Sequence, residues 1–216
     1  MKRRIILLGP PASGKGTQAE MLAAKYDLPA ASTGALLRKE RARGTALGKE
    51  ADSWTSRGMF FPDEIAMEVV RQWLARSGAN GFLLDGFPRT IGQARAFDAE
   101  PAGGIDAVFH LTLSDDAIRE RVASRITCTH CGASLSAKLH RVCEGDACPA
   151  CGKPLVRRRD DTAEALEERL EQHRLLTEPV VDFYRRSGRL TEIDAVAGRE
   201  IVFQKLCESI EEAVSA

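Results

Sequence analysis

GPPASGKGTQ, residues 9–18, follows directly on the apolar run RRIILL and spends three of its ten positions on glycine. Gly9, Gly14 and Lys15 fit G-x-x-x-x-G-K, the pattern of a loop whose backbone N–H groups face phosphate oxygens while the lysine reaches the terminal phosphates. Serine or threonine ordinarily follows that lysine; here Gly16 stands there and Thr17 comes one place later. Such a loop is credible only between a strand and a helix. Ile5, Ile6, Leu7 and Leu8, closed by Gly-Pro, read as a short buried strand. Ala19, Leu22, Ala23 and Tyr26 then recur at i, i+3, i+4 and i+7, one face of a packed helix.

The alternation continues along the chain. LPAAS (28–32), GFLLDG (81–86), IDAVFHLTL (105–113) and RLTEID (189–194) are further strand candidates, separated by helical stretches such as residues 63–76. A last helix carries Phe203, Leu206, Cys207, Ile210 and Val214 on one face. Strands alternating with helices predict an α/β domain with a mostly parallel sheet of five strands, and ligands at the carboxyl ends of those strands. Two segments break the rhythm and read as insertions. Residues 33–61 are helical and polar; residues 127–161 hold most of the cysteines and little apolar periodicity.

Composition excludes several classes. Of 216 residues, 31 are Lys or Arg and 31 Asp or Glu, so the formal net charge is zero and no global field favours nucleic acid or a membrane surface. No apolar run approaches the roughly 20 residues of a membrane span. The basic opening MKRRIILLGPP has too short an apolar stretch for a signal peptide, so a cytoplasmic location is expected.

Five of the six cysteines fall within residues 128–151. CTHCG (128–132) and CPACG (148–152) are two C-x-x-C knuckles with 16 residues between Cys131 and Cys148, the spacing of a zinc site. Four thiolates from Cys128, Cys131, Cys148 and Cys151 close a tetrahedron, so the expected Zn²⁺ is structural. Gly132 and Gly152 allow the tight turn behind each knuckle. Cys143, His130 and His140 are competing ligands by proximity; Cys207 reads as core.

The remaining motifs carry a resemblance. G-x-P-x-x-G-K-G-T-Q resembles the phosphate loop of adenylate kinases, in which Gly-Thr likewise replaces the bare Ser/Thr. That family has glycine where Ala12 stands, so Ala12 must either keep a negative φ or carry strain. LLDGFPRTIGQ (83–93) closely matches the family's D-G-F-P-R-x-x-x-Q signature. Asp85 ends an apolar strand, where a carboxylate holds Mg²⁺ through water. The resemblance implies that Gly86, Arg89 and Gln93 bind AMP, with Arg89 on its phosphate and Gln93 on the adenine edge. STGALLR (32–38) resembles S-T-G-D-x-L-R; by itself it is a helix start capped by Ser32 or Thr33. Thr33, Gly34 and Arg38 match AMP-contacting positions, while Ala35 replaces an aspartate. RGMFFPDE (57–64) resembles the segment closing the AMP pocket, with Met59 and Phe61 near the base.

Arg121 and Arg125 lie four apart on a predicted helix and hence on one face. By resemblance to the family's R-x-x-x-R and R-x-D-D patterns, Arg125 and Arg158 clamp phosphates and Arg169 stabilises the transferring group. Arg121 lies near the ATP adenine, and Asp160 and Asp161 form the lid hinge. The implied ATP site is Gly14, Lys15, Gly16, Thr17, Arg121, Arg125 and Ala197. The implied catalytic set is Lys15, Arg89, Arg125, Arg158 and Arg169, with Arg158 and Arg169 also on the AMP side.

The resemblance implies a nucleoside monophosphate kinase fold. Its core would be residues 1–31, 62–124 and 162–216, with an AMP-binding insertion at 32–61 and a zinc-bearing lid at 125–161. It implies Mg²⁺-dependent transfer, ATP + AMP ⇌ 2 ADP, by a monomer that needs neither nucleic acid nor membrane. The alternatives are a kinase for UMP or CMP, against which Thr33 and Gln93 speak, a kinase with a GTP donor, and a non-enzymatic zinc-ribbon binder of nucleotides or nucleic acid.

Overall fold

In the computed structural model, which describes residues 3–55, 62–78, 80–100, 104–158 and 161–215, the apolar run before the glycine loop is the central strand β1 (Arg3–Leu8). It leads through α1 (Lys15–Tyr26), β2 (Ala30–Ser32), α2 (Thr33–Ala42) and α3 (Ala46–Thr55) to α4 (Asp63–Ser77). β3 (Gly81–Asp85), α5 (Ile91–Asp98), β4 (Ala107–Thr112) and α6 (Asp115–Ala123) follow. A second small sheet then holds β5 (Arg125–Cys128), β6 (Ser134–Ser136), the one-turn α7 (Ala137–His140) and β7 (Leu155–Val156). The chain closes with α8 (Ala163–Gln172), a π-helical turn (His173–Thr177), α9 (Glu178–Arg186), β8 (Leu190–Asp194) and α10 (Arg199–Ser215).

The main sheet is parallel throughout, in the order β2-β3-β1-β4-β8. Helices cover both faces, which is why β1 and β3 read as continuous apolar runs rather than alternating ones. Successive side chains point to opposite faces. Ile6, Leu8, Phe82, Leu84 and Val108 pack under α2, α4, α5 and α9, whereas Ile5, Leu7, Leu83, Phe109 and Leu111 pack under α1 and α10. Leu206, Cys207 and Ile210 of α10 are buried there as the helical spacing predicts; the Val214 side chain lies outside the described ones. β1 therefore ends in mid-sheet with partners on both sides, and the loop after it opens where the chain order reverses, at the edge that takes ligands.

Three readings need correction or completion. Arg121 and Arg125 do not share a helix: α6 stops at Ala123, and Arg125 opens β5 opposite Ser136. Ser124 makes the turn, its hydroxyl donating back to the carbonyl of Arg121. Ala12 carries the strain alternative, with φ +58°, a left-handed conformation that costs an L-residue about 1–2 kcal/mol. Ser32, not Thr33, caps α2, its Oγ accepting from the N–H of Ala35 at 3.2 Å.

In the second sheet β5 pairs antiparallel with β6 and β7. Its apolar centre is small: buried Ile126, Cys128, Cys148 and Leu155, flanked by Leu135 and Val142. Leu135 packs on that centre, and Ser136 caps α7 by accepting from the N–H of Leu139. No helix among the described residues is long and apolar enough to cross a membrane.

Candidate functional site

Where β1 ends, the chain turns through Gly9 to Gly14 and enters α1 with no side-chain cap on the helix start. The first N–H groups of α1 are therefore left for an anion, at the positive end of the helix dipole. Gly14, Lys15, Gly16 and Thr17 form that first turn. Lys15 folds back over the loop, its Nζ donating to the carbonyls of Gly9 and Pro10 at 2.8 Å each and to Ser13 Oγ at 3.3 Å. Arg121 braces the loop from α6, donating to the carbonyls of Ala12 (3.3 Å) and Ser13 (3.2 Å) and to that of Ala195 (2.5 Å), in the turn that also holds Ala197.

β3 delivers its carboxylate beside this loop because Leu7 and Asp85 are register partners, and the N–H of Gly86 donates to the carbonyl of Leu7 at 2.9 Å. Asp85 lies so close to α1 that a Cβ on Gly16 would stand 3.6 Å from its Oδ2. Gly86 carries Arg89 back across itself: Arg89 Nε donates to the Gly86 carbonyl at 2.9 Å, and a Cβ on Gly86 would meet both the Arg89 guanidinium and Lys15 Cε. Ser32 pairs with Asp85 on the other side of β3, so α2 starts at the same edge. There Thr33 is 2 % exposed, and its Oγ1 has no hydrogen-bond partner among the described residues. Arg38 lies over Gly34, within 3.2 Å of where a Cβ would be.

A second arginine group converges on Asp161. Arg125 grips this carboxylate with Nε (2.8 Å) and its terminal nitrogen, and Arg169 Nη1 stands 3.9 Å from it. The N–H of Asp161 donates to the carbonyl of Arg158 at 3.1 Å, placing Arg158 in the adjoining turn. Met59, Phe61 and Asp160 lie outside the described residues.

Crowding and burial perturb the charged groups of the site. Burial pulls the Lys15 ammonium down to about 8; Asp85 opposes this, while Arg89, Arg169 and Arg125 add to it. Burial raises the carboxyl of Asp85 above its ordinary range against the pull of Lys15 and Arg89. Arg89, Arg125 and Arg169 all lie within electrostatic reach of Lys15 and outnumber the carboxylates Asp85 and Asp161 among them, an excess of positive charge that would suit a polyanion.

Sequence reasoning missed the π-helical turn. Pro179 lacks the N–H that the Leu175 carbonyl would take, and the helix ladder slips there. The turn brings His173 toward Lys15 and Arg89 and lets Thr177 Oγ1 donate to the Arg89 carbonyl at 3.2 Å. Burial, with the neighbouring positive charges, drives His173 down to about 3. It stacks on His110 of β4 with ring centroids 6.5 Å apart. Pro179 was the available signal.

The cysteine cluster stands apart in the small sheet. The sulfurs of Cys128, Cys131, Cys148 and Cys151 all lie within 4.8 Å of one another, with Cys128–Cys151 at 3.5 Å and Cys131–Cys148 at 3.7 Å. A tetrahedron with Zn–S bonds of ~2.3 Å has S···S edges of ~3.8 Å, so the donor set fits zinc. Gly132 (φ +83°) and Gly152 (φ +71°) turn their N–H groups back to the carbonyls of Cys128 and Cys148, a conformation that other residues reach only with strain. Backbone N–H groups of Cys131 and His130 hold the Cys128 thiol down to about 6. Cys143 and the histidines are not in the cluster.

A family model described as adenylate kinase matches residues 7–189, running from the end of β1 to the residue before β8. The chain belongs to the adenylate kinase family. It is thus an enzyme, a phosphotransferase whose acceptor is a phosphate group. It is 38 % identical over 212 residues to the adenylate kinase of Clostridium perfringens strain 13, covering 96 % of this chain and 97 % of the relative. Identity is 42 % over 191 residues to that of Caldicellulosiruptor bescii, with coverage of 87 % and 89 %. It is 38 % over 216 residues to that of Archaeoglobus fulgidus, covering 98 % and 99 %.

Proposed function

We propose that this kinase catalyses ATP + AMP ⇌ 2 ADP. The observation that carries the reading is the convergence of Lys15, Arg89, Arg125 and Arg169 at the carboxyl ends of β1 and β3. The ATP phosphates lie along the loop, on the N–H groups of Gly14, Lys15, Gly16 and Thr17, with the base beside Arg121 and Ala197. AMP lies on the β2–β3 side, its phosphate on Arg89 and Arg38 and its base against Thr33, Gly34, Gly86 and Gln93. The family resemblance puts Met59 and Phe61, which lie outside the described residues, near that base. The unpartnered, buried Thr33 hydroxyl supports a polar ligand there, because such a group is costly unless something bonds to it.

The attacking oxygen needs no general base, since a phosphate monoester's second pKa is about 6 and the acceptor is already ionised at neutral pH. Charge neutralisation and in-line positioning are what remain to be supplied. Lys15 and Arg89 hold donor and acceptor phosphates a short distance apart, and Arg125, Arg158 and Arg169 gather charge from the third side. Residues 32–61 and 125–161 move as AMP-binding and lid units against a core of 1–31, 62–124 and 162–216, excluding water from the transfer. When bound, Mg²⁺ held through Asp85 neutralises phosphate charge. Zn²⁺ on the four cysteines replaces a lid core too small to form alone. The enzyme works as a cytoplasmic monomer on ATP, AMP and ADP.

The test is a coupled assay of ADP formation from Mg-ATP with AMP, CMP, UMP or GMP, on protein of known zinc content. Turnover confined to AMP supports the assignment. Preference for a pyrimidine nucleotide overturns the acceptor side, and no turnover from folded, zinc-replete protein overturns the reaction.

A further inference from the structure

Gln93 is buried, 3 % exposed, and its amide is only half available for a base. Its Oε1 accepts from the N–H of Arg89 at 2.8 Å, and its Nε2 donates to Asp63 Oδ1 at 2.8 Å. A backbone N–H only donates and a carboxylate only accepts, so the amide can face just one way. Asp63 is fixed in turn by Thr90, whose hydroxyl donates to Oδ2 at 2.6 Å while accepting from the N–H of Gln93 at 3.1 Å. Gly92 leaves the space: a Cβ there would stand 2.8 Å from Asp63 Oδ2, too close for the carboxylate to remain.

From this network we infer that Asp63, at the start of α4, is a specificity-determining positioning residue that locks the orientation of the Gln93 amide and thereby sets which purine edge the acceptor pocket reads. The inference rests on the proposed placement of the AMP base against Gln93. After the two bonds above, the amide keeps one N–H and one oxygen lone pair. A 6-amino purine offers a donor beside a ring acceptor; a 6-oxo purine offers the same two groups in reversed order. Reading the second in the same register requires the amide to flip. The flip sets oxygen against the Asp63 carboxylate and NH₂ against the Arg89 N–H, leaving two buried mismatches. Asp63 itself touches no substrate.

The experiment compares kcat/KM for AMP and IMP with Mg-ATP in Asp63→Asn, Gly92→Ala, Gln93→Ala and Glu64→Gln, with a melting temperature for each. Asparagine can donate to a flipped Oε1, so Asp63→Asn lowers the AMP:IMP ratio about tenfold or more, with the KM for ATP unmoved. Gly92→Ala displaces the carboxylate by steric contact while leaving residue 63 an aspartate, and reproduces the effect, which keeps the test alive should Asp63→Asn fold poorly. Glu64→Gln, the exposed neighbouring acid in the same helical turn, leaves the ratio at the wild-type value. If Gln93→Ala collapses the ratio while Asp63→Asn and Gly92→Ala leave it intact, the lock is wrong and the acceptor reading stands. If Gln93→Ala also leaves it intact, the base does not sit against Gln93 and the acceptor reading itself fails.

Discussion

Asp161→Asn separates the charge that holds the arginines in the absence of substrate from the charge that holds them during transfer. The Asp161 side chain is 5 % exposed and that of Arg125 13 %, and the guanidinium grips both carboxylate oxygens. Removing one member of such a buried pair costs about 3–5 kcal/mol, because the other charge is left uncompensated. Asparagine keeps one acceptor oxygen, and Arg169 has other neighbours, so about 2–3 kcal/mol is expected here. For a chain of this length that lowers the melting temperature of the free protein by about 5–10 °C. With both nucleotide sites filled, phosphate oxygens take over the guanidinium groups, and the loss falls below about 1 kcal/mol. The difference reappears as roughly tenfold tighter binding of a non-hydrolysable ATP analogue with AMP. Differential scanning calorimetry with and without these ligands reads both quantities. Equal losses in the two states would show that Asp161 stays on the arginines when phosphate is bound, and the exchange argument would be wrong.

Three further outcomes are expected. With Lys15 lowered to about 8, its charging penalty is fully present below that pH and gone by about 10.5; bound polyphosphate reverses the shift. Binding of the ATP analogue at pH 8 should therefore take up about half a proton, measured by calorimetry in buffers of different ionisation heat; uptake persisting in Lys15→Met would remove the effect from Lys15. Cys128→Ser should lower zinc content and melting temperature together, and unchanged zinc by metal analysis would bring Cys143 or a histidine into the ligand set. Ala12→Gly should relieve the left-handed strain at φ +58° and stabilise the protein by about 0.5–1 kcal/mol in denaturant titration, glycine's greater unfolded-state freedom being the offset. A loss would mean that the Ala12 methyl's packing on the Ile118 and Val122 cluster outweighs the strain.

The features legible in the sequence were those fixed by local chemistry. A short apolar tetrad ended by Gly-Pro favours a buried strand entering a tight turn, and two C-x-x-C knuckles at this spacing favour four thiolates on one metal. The five strand candidates all became strands of one parallel sheet, the largely polar RLTEID and the short LPAAS forming its two edges. T-I-G-Q at 90–93 matches the capping-box pattern, but the Gln93 amide oxygen takes the N–H of Arg89, one residue before the Thr90 cap, which the pattern does not tell. Arg125 escaped the helical reading because a four-residue spacing does not reveal that the helix has already ended at Ser124. Nor does any local pattern say that Asp63 and Gln93, thirty residues apart, share a hydrogen bond, or that Asp161 gathers Arg125 and Arg169. Those meetings depend on the sheet order β2-β3-β1-β4-β8, which lays distant loops along one edge. Sequence alone determined which groups were available to bind phosphate and metal; the tertiary structure decided which of them share a charge, because electrostatic and hydrogen-bond partners are set by distance in space and not by distance along the chain.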